Sequence, residues 1–345
     1  MRHGVRQRNR QRNRARVLAR RSRGAGLFEY ILLVGLVALA ALGAWRAFGA
    51  TVREKASRQA DCVASLDPGG CRGEAEGTSS SALDRAGNPK LKNLAAAEGA
   101  TYEPAKGTPG IEGTGDGRDF HPSDISQGQL GDCYFMSSLA AIAHTHPDVL
   151  AKNIKKNDDG TYTVTFFDRG LFGTSKVEVK VTADFPKKDG RWVFAQPGDK
   201  KGDQLELWPM LYEKAYAQWK GGGSYKKIEG GVAADAMSEI TGESGDWTRT
   251  KGVVWDMSFD TVADYADKGY PLVASSLSDS DGKKKQLYKD GTLVTGHAYW
   301  IEKVDRDAKT VTVRNPWGWN EKPITLPWDQ FKAAFWRVHY NTKTR

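Results

Sequence analysis

The first 24 residues contain no acidic side chain, and ten of them are arginine. That imbalance accounts for the charge of the whole chain. Removing those arginines from the net +9 leaves the remainder at −1. A basic head on a nearly neutral body excludes a nucleic-acid-binding domain, which would carry its basic residues on a folded face. Cysteine is also scarce, with three residues at 62, 71 and 133. Three are too few for a disulfide framework and leave one odd thiol after any pairing. No internal repeat is visible, which excludes a solenoid. Charge is missing altogether from Tyr30 to Trp45.

What is present fits a globular body. The chain is 39% hydrophobic with eleven tryptophans, and 345 residues allow one large domain or two average ones. The sixteen uncharged residues from Tyr30 to Trp45 would span roughly 24 Å as a helix, and Leu27, Phe28, Ala47 and Phe48 extend that apolar length. A buried core helix is the alternative, but it would show a polar face. With the arginines on its N-terminal side, the expected topology is a single-pass anchor over residues 25–49. The leader, residues 1–24, stays in the cytoplasm and the body lies outside it. Glu29 is the odd residue of this stretch. The run Gly24-Ala25-Gly26-Leu27-Phe28-Glu29-Tyr30 resembles the leader of type IV-like prepilins. There a peptidase cuts after glycine and glutamate stands fifth in the mature chain. The resemblance implies processing by a prepilin peptidase and a body that is membrane-anchored, or secreted after cleavage. Outside the cytoplasm a Cys62–Cys71 disulfide becomes reasonable. Residues 50–116 read as a linker around that small loop, its part from 72 to 116 being rich in Gly, Ala, Ser, Thr and Glu.

The body, residues 117–345, alternates between two patterns. Apolar spacing predicts a helix after Cys133 that stops at His146-Pro147. GTYTVTFFDRG and TSKVEVKVTADF alternate at period two and read as paired strands. LELWPMLYEKAYAQWKG and AADAMSEITG read as helices, the second closed by its glycine. From residue 251 onward GYPLVASSL, LVTGHAYWIEKV and TVTVRNPWG read as strands. A helical half followed by a strand-rich half predicts an α+β fold of two lobes with a cleft between them.

The chemistry centres on QGQLGDCYFM, which places Cys133 at a helix start. A helix dipole there stabilises a thiolate. A nucleophilic cysteine needs a base, and the chain has six histidines. His3 lies in the leader. His144 and His146 sit roughly 16–20 Å along the helix axis. His121 has no orienting partner in view, and His339, in WRVHY, reads as a packing residue. His297 remains. In HAYWIEKVDRDAKTVTVRN, His297 and Asn315 are each nine residues from Arg306. An antiparallel hairpin turning there sets them side by side, so the Asn315 carbonyl can hold the imidazole in one tautomer. Cys–His–Asn is an established nucleophilic constellation. Gln127, with the Cys133 backbone N–H, can supply an oxyanion hole.

These segments, QGQLGDCYFM, LWPMLYEKAYAQWKGGGSYKKIEGG, TGHAYWI and RNPWG, are similar to the calpain-type papain-like cysteine proteases, in the same order. The resemblance covers residue 117 to the end. It implies a papain-like two-lobed core, a helical lobe over 117–242 and a strand-rich lobe over 243–345, with Cys133 as nucleophile, His297 as base, Asn315 as orienter and Gln127 in the oxyanion hole. Gly296 and Trp317 would flank the cleft, Trp317 matching a tryptophan that moves on activation. Tyr134 stands where calpains usually carry tryptophan. Asp124 and Glu206 match the carboxylates of one calcium site. Glu321 matches one ligand of a second site whose remaining acids are missing. DSDGKKKQLYKDG starts like an EF-hand loop but lacks the later glutamate, and reads as a mobile loop beside the cleft. The expectation is at most one calcium ion, no cofactor for the chemistry, and protein substrates for a tethered endopeptidase. The alternatives are a catalytically silent membrane- or pilus-associated binding protein on the same fold, and a transglutaminase-like acyl transferase, which Asn315 disfavours.

Overall fold

The computed structural model describes residues 87–111, 119–170, 173–251, 256–282 and 285–342, all within one unit, Ala75–Arg345. The basic leader, the apolar stretch 25–49 and the Cys62–Cys71 pair lie outside the described residues. Among those that are described, no helix is long and apolar enough to cross a membrane.

Residues 87–111 are folded into the body, which corrects their reading as linker. β1 (Thr101–Pro104) and β2 (Gly107–Thr108) have too little apolar alternation to stand out in sequence. Both instead add to distant edges: β1 lies antiparallel to Asp184–Lys188 and β2 parallel to Gln204–Glu206. Asn88 supplies the anchor. Its Oδ1 accepts a 2.6 Å hydrogen bond from the Lys214 ammonium, which is 0% exposed and also donates to Thr182 O and Oγ1 and to Asp184 O. A buried ammonium is tolerated only with such a full set of acceptors.

The first lobe is built on α1 (Cys133–Thr145). Tyr134 to Ala143 are all buried, so this is a central helix rather than an amphipathic surface one. His146 and Pro147 end it, and α2 (Pro147–Lys152) follows. β3 (Ile154–Lys156), β4 (Tyr162–Gly170) and β5 (Gly173–Val181) form an antiparallel sheet. β6 (Asp184–Lys188) pairs with β7 (Arg191–Trp192), and β8 (Lys200–Lys201) with β9 (Gln204–Glu206). In α3 (Trp208–Trp219), Pro209 occupies the first turn, where its missing N–H costs nothing. Stacked rings weld these elements: Phe135 on Tyr216 at 4.1 Å and Phe166 on Trp219 at 5.2 Å. α4 (Ala233–Thr241) closes at Gly242, whose φ of +78° is the left-handed cap only glycine adopts freely.

The second lobe is one six-stranded antiparallel sheet. β10 (Gly245–Arg249) opens it; α5 (Phe259–Asp267) and β11 (Leu272–Ser276) follow. The segment expected to be a loop forms two helical turns, α6 (Asp279–Gly282) and α7 (Gln286–Lys289), and Tyr288 ties it down by accepting from Leu277 N and donating to Ala334 O. β12 (Ala298–Asp305), β13 (Thr310–Arg314), β14 (Ile324–Pro327), α8 (Trp328–Ala334) and β15 (Phe335–Asn341) complete the lobe, with strand order β10-β15-β11-β12-β13-β14. Pleating gives this sheet two destinations. Leu272, Ala274, Tyr299, Ile301 and Val338 enter the lobe's own core. Val273, Ala298 and Trp300 point the other way and join the first lobe's core against α1. Ser137 Oγ on α1 donates to Ala298 O at 3.0 Å across that junction.

Candidate active site

Cys133 begins α1 and is half-buried. Burial is the largest influence on its thiol and pushes it up to about 11; the Ala298 backbone amide pulls it down and the Asp132 carboxylate pushes it further up. Desolvation therefore outweighs the helix dipole here, and the resting sulfur is a neutral thiol. This differs from the thiolate expected from helix position alone. Tyr134, next in sequence, lays its ring against Gly231, where any Cβ would come within 2.3 Å of it.

His297, just before β12, and Asn315, just after β13, sit together at the open end of the β12–β13 ladder. His297 Nε2 and Asn315 Oδ1 are 2.8 Å apart. With a carbonyl oxygen as acceptor, Nε2 carries the proton and Nδ1 is left as the basic nitrogen. The Trp317 backbone N–H also donates to Asn315 Oδ1, at 3.3 Å, which fixes the amide. Ser276 holds the backbone of His297 from both sides: His297 N donates to Ser276 Oγ at 2.8 Å, and Ser276 N to His297 O at 2.9 Å. Burial lowers the imidazole pKa, and the Asn315 bond opposes that in part. Trp317 covers the ring at 5.2 Å and Tyr299 meets it edge-on at 5.0 Å. Gly296 has φ +60°, so the approach to His297 needs a glycine.

The hairpin reaches this contact by a different register from the one the spacing implies. The turn is centred on Asp307 and Ala308, with Asp305 paired to Thr310. Continued without interruption, that pairing would set His297 opposite Gly318 and put Asn315 on the other face of the sheet. A bulge at Glu302 moves the register by one, to Ile301 opposite Val313 and Trp300 opposite Arg314. His297 and Asn315 then share a face and meet diagonally. Arg314 Nε donates to Glu302 Oε1 at 2.7 Å and holds the bulged residue.

Gln127 is buried beside this loop, and its backbone N–H donates to Pro316 O at 2.8 Å, across the lobes. Its side-chain Nε2 donates to Leu130 O at 2.6 Å and Asp132 Oδ1 at 3.1 Å. Both amide hydrogens are thus engaged within the lobe. Asp132 is 0% exposed and lies against Glu213, which accepts from Ala195 N. Burial raises both carboxyls, Asp132 to about 7 and Glu213 well above the usual range, and the Asp132 charge raises Glu213 further. The pair shares a proton at neutral pH. Sequence reasoning missed it; the available signal was an acid, Asp132, directly before the apolar run of α1 and another, Glu213, beside the apolar positions of α3.

Asp124, Asp199 and Glu206 present carboxylate oxygens within 4.8 Å of one another. Asp124 Oδ2 accepts from His121 N at 2.7 Å and Trp208 Nε1 at 3.0 Å; Glu206 accepts from Ile111 N and Asp199 N. Gly198 allows the loop to close over them, since a Cβ there would come within 2.4 Å of Glu206 Oε2. Burial pushes Asp124 up to about 6 and Glu206 to about 8, the latter raised further by the Asp124 charge. Hard oxygen donors crowded together, which burial would otherwise neutralise by protonation, fit a divalent cation of the calcium type. Asp199 is the member that sequence spacing did not reveal. Glu321 is exposed and joins no such cluster among the described residues.

Cys133, Gly296 and His297 line one cavity of about 460 Å³ between the lobes. No hydrogen bond joins the Cys133 thiol to the His297 ring in this arrangement. A neutral thiol, an imidazole with a free Nδ1 and an adjoining hollow form the parts of a nucleophilic site at rest.

The family model described as "Calpain family cysteine protease" matches residues 116–345. Over 217 residues the chain is 33% identical to the calpain-type cysteine protease DEK1 of maize, covering 60% of this chain and 9% of that protein. It is 29% identical over 208 residues to the human calpain-2 catalytic subunit, covering 57% of this chain and 28% of the subunit. The chain therefore spans less than a third of the length of these relatives.

Proposed function

From the premise that this chain belongs to the calpain family of cysteine proteases, we propose that it is an endopeptidase acting on protein substrates through Cys133, His297 and Asn315. The 2.8 Å contact between His297 Nε2 and Asn315 Oδ1, beside a cavity shared with Cys133, carries this reading. The Cys133 proton passes to His297 Nδ1, and the thiolate adds to the peptide carbonyl. The oxyanion is met by the Cys133 backbone N–H and by Gln127, once its amide turns from Leu130 and Asp132. The imidazolium then protonates the leaving amine, which departs and leaves a thioester. Water, losing its proton to His297, adds to the thioester, and the Cys133 sulfur departs as the acid is released. Asn315 keeps the ring oriented throughout.

Asp124, Asp199 and Glu206 would hold calcium, with Glu321 outside that set. Bound there, the ion supplies charge that keeps the carboxylates ionised. Asp124 among them fixes the short turn that leads from His121 to Gln127. For the region outside the described residues, the uncharged run 30–45 behind ten arginines supports a membrane tether with the catalytic body on the far side, and Glu29 supports prepilin-type processing.

A second reading, a catalytically silent binding protein, draws on the neutral thiol and the inward-turned Gln127 amide. Hydrolysis of an unfolded protein substrate by wild-type and Cys133→Ser chains separates the two. The peptidase reading expects loss of turnover in the variant; equal rates would refute it.

A further inference from the structure

The wall of the cavity that holds the nucleophile also carries an unpaired cation. Arg337 on β15 lines the same hollow as Cys133 and His297. In register it lies directly between Ser275 of β11 and Arg249 of β10. Residues opposite one another in adjacent strands share a face. That face is the one that meets the first lobe, because His339, two residues on, accepts a hydrogen bond from Ala234 N of α4. Two arginines are therefore cross-strand neighbours on the cleft side of the sheet. Like charges so placed repel unless an anion lies between them.

Nothing in the described residues supplies that anion. Neither Arg337 nor Arg249 has an ion pair within 4.0 Å among them, and Arg337 Nε is buried with no hydrogen-bond partner. Two acids act near it without forming an ion pair: Asp235, on the first turn of α4, acts on Arg337 only at longer range, and Asp281 lines the same cavity and accepts a hydrogen bond from Ser278 Oγ. The guanidinium is also held in position. Its central carbon lies 3.9 Å from the Trp336 ring and 5.0 Å from that of Trp247. Stacking on indole faces occupies the flat sides of a guanidinium and leaves its edge N–H groups free for a planar, two-oxygen acceptor. A carboxylate has that geometry.

We infer that Arg337, backed by Arg249, is a specificity site that binds a carboxylate of the peptide held in the cleft. The carboxylate comes from a Glu or Asp side chain or from the peptide's own C-terminus. The inference deepens the peptidase reading and rests on peptides entering this cavity.

The test uses the full chain carrying Cys133→Ala, so that binding is measured without turnover. A set of amidated peptides places Glu or Gln at successive positions, and a parallel set has a free C-terminus. Titration calorimetry is expected to find one position where Glu binds about tenfold tighter than Gln, as a charge-assisted pair implies. A preference for the free acid over the amide would instead assign the site to the C-terminus. Either preference should shrink at high salt, fall to about twofold or less on adding Arg337→Gln, and survive in part in Arg337→Lys. Equal affinities for all pairs in the Cys133→Ala chain overturn the inference whether or not the Arg337 variants fold. A preference untouched by Arg337→Gln does the same. Incubating the same peptides with the wild-type chain separates the two ideas: a binding preference without cleavage refutes the peptidase alone.

Discussion

Titrating calcium into the protein at pH 7 and again at pH 9 probes the Asp124–Asp199–Glu206 cluster directly. Burial holds Glu206 up at about 8 and Asp124 at about 6, so near neutrality the cluster keeps a proton that a cation must displace. A group titrating at 8 is about nine-tenths protonated at pH 7 and about one-tenth at pH 9. Binding should therefore release about one proton at pH 7 and close to none at pH 9. The same proportions make the calcium affinity rise about tenfold between those two values. Calorimetry in buffers of differing ionisation enthalpy reads the proton count, and the isotherms give the affinities. The sign for stability is fixed too. A carboxyl raised in the folded state binds more protons there than in the unfolded chain. The metal-free protein should thus lose stability as pH climbs from the ordinary 4.5 towards 8, and calcium should restore it. Glu206→Gln should abolish most of the proton release. Calcium binding with no proton release at pH 7, or an affinity unchanged across the range, would refute the reasoning. So would the absence of binding at millimolar calcium.

Three further outcomes follow from named contacts. Asn315→Ala leaves the buried Nε2–H of His297 without its acceptor, so kcat/KM on a peptide substrate should fall at least tenfold while the fold persists; an unchanged value contradicts the orienting role. Asn88→Ala removes an acceptor from the wholly buried Lys214 ammonium and should destabilise the body by about 1–3 kcal/mol in chemical denaturation; no change would mean that residues 87–111 are not held by this contact. Alkylation of Cys133 by iodoacetamide in the calcium-free, substrate-free protein should rise with pH towards a midpoint near 11, whereas a plateau reached by pH 7 would mean that the thiolate is already formed at rest.

Local pattern carried much of the fold. Period-two alternation marked β4 and β5, and apolar spacing marked α1, α3 and α4 with their stop signals at Pro147 and Gly242. Features set by distant partners were not legible. Residues 87–111 look like a tether because their order comes from the edges of β6 and β9 and from Lys214, all far along the chain. The hairpin that carries His297 and Asn315 was visible as two alternating runs, but the Glu302 bulge does not disturb that alternation enough to show. The contact survives because the bulge puts both residues on one face. Asp199 sits in GDKKGD, which reads as a solvated turn, and only folding brings it to Asp124 and Glu206. The engagement of the Gln127 amide by Leu130 and Asp132 depends on the buried Asp132–Glu213 pair, which no spacing rule connects.

For the proposed peptidase, the resting geometry sets what activation would have to accomplish. The Cys133 thiol is neutral, the Gln127 amide faces inward, and Trp317 covers the imidazole. The lobes are nonetheless joined near the chemistry, by Ser137 to Ala298 and by Gln127 N to Pro316 O. A small shift about those joints would change the Cys133–His297 approach without unfolding either core.

The most direct measurement is covalent labelling of the full chain by a peptidyl epoxide, read by intact mass and peptide mapping, with calcium and with chelator. The proposed peptidase predicts one adduct, on Cys133, that disappears in His297→Ala and forms faster with calcium. An intact chain that takes up no adduct under either condition, or labels equally well without His297, contradicts it.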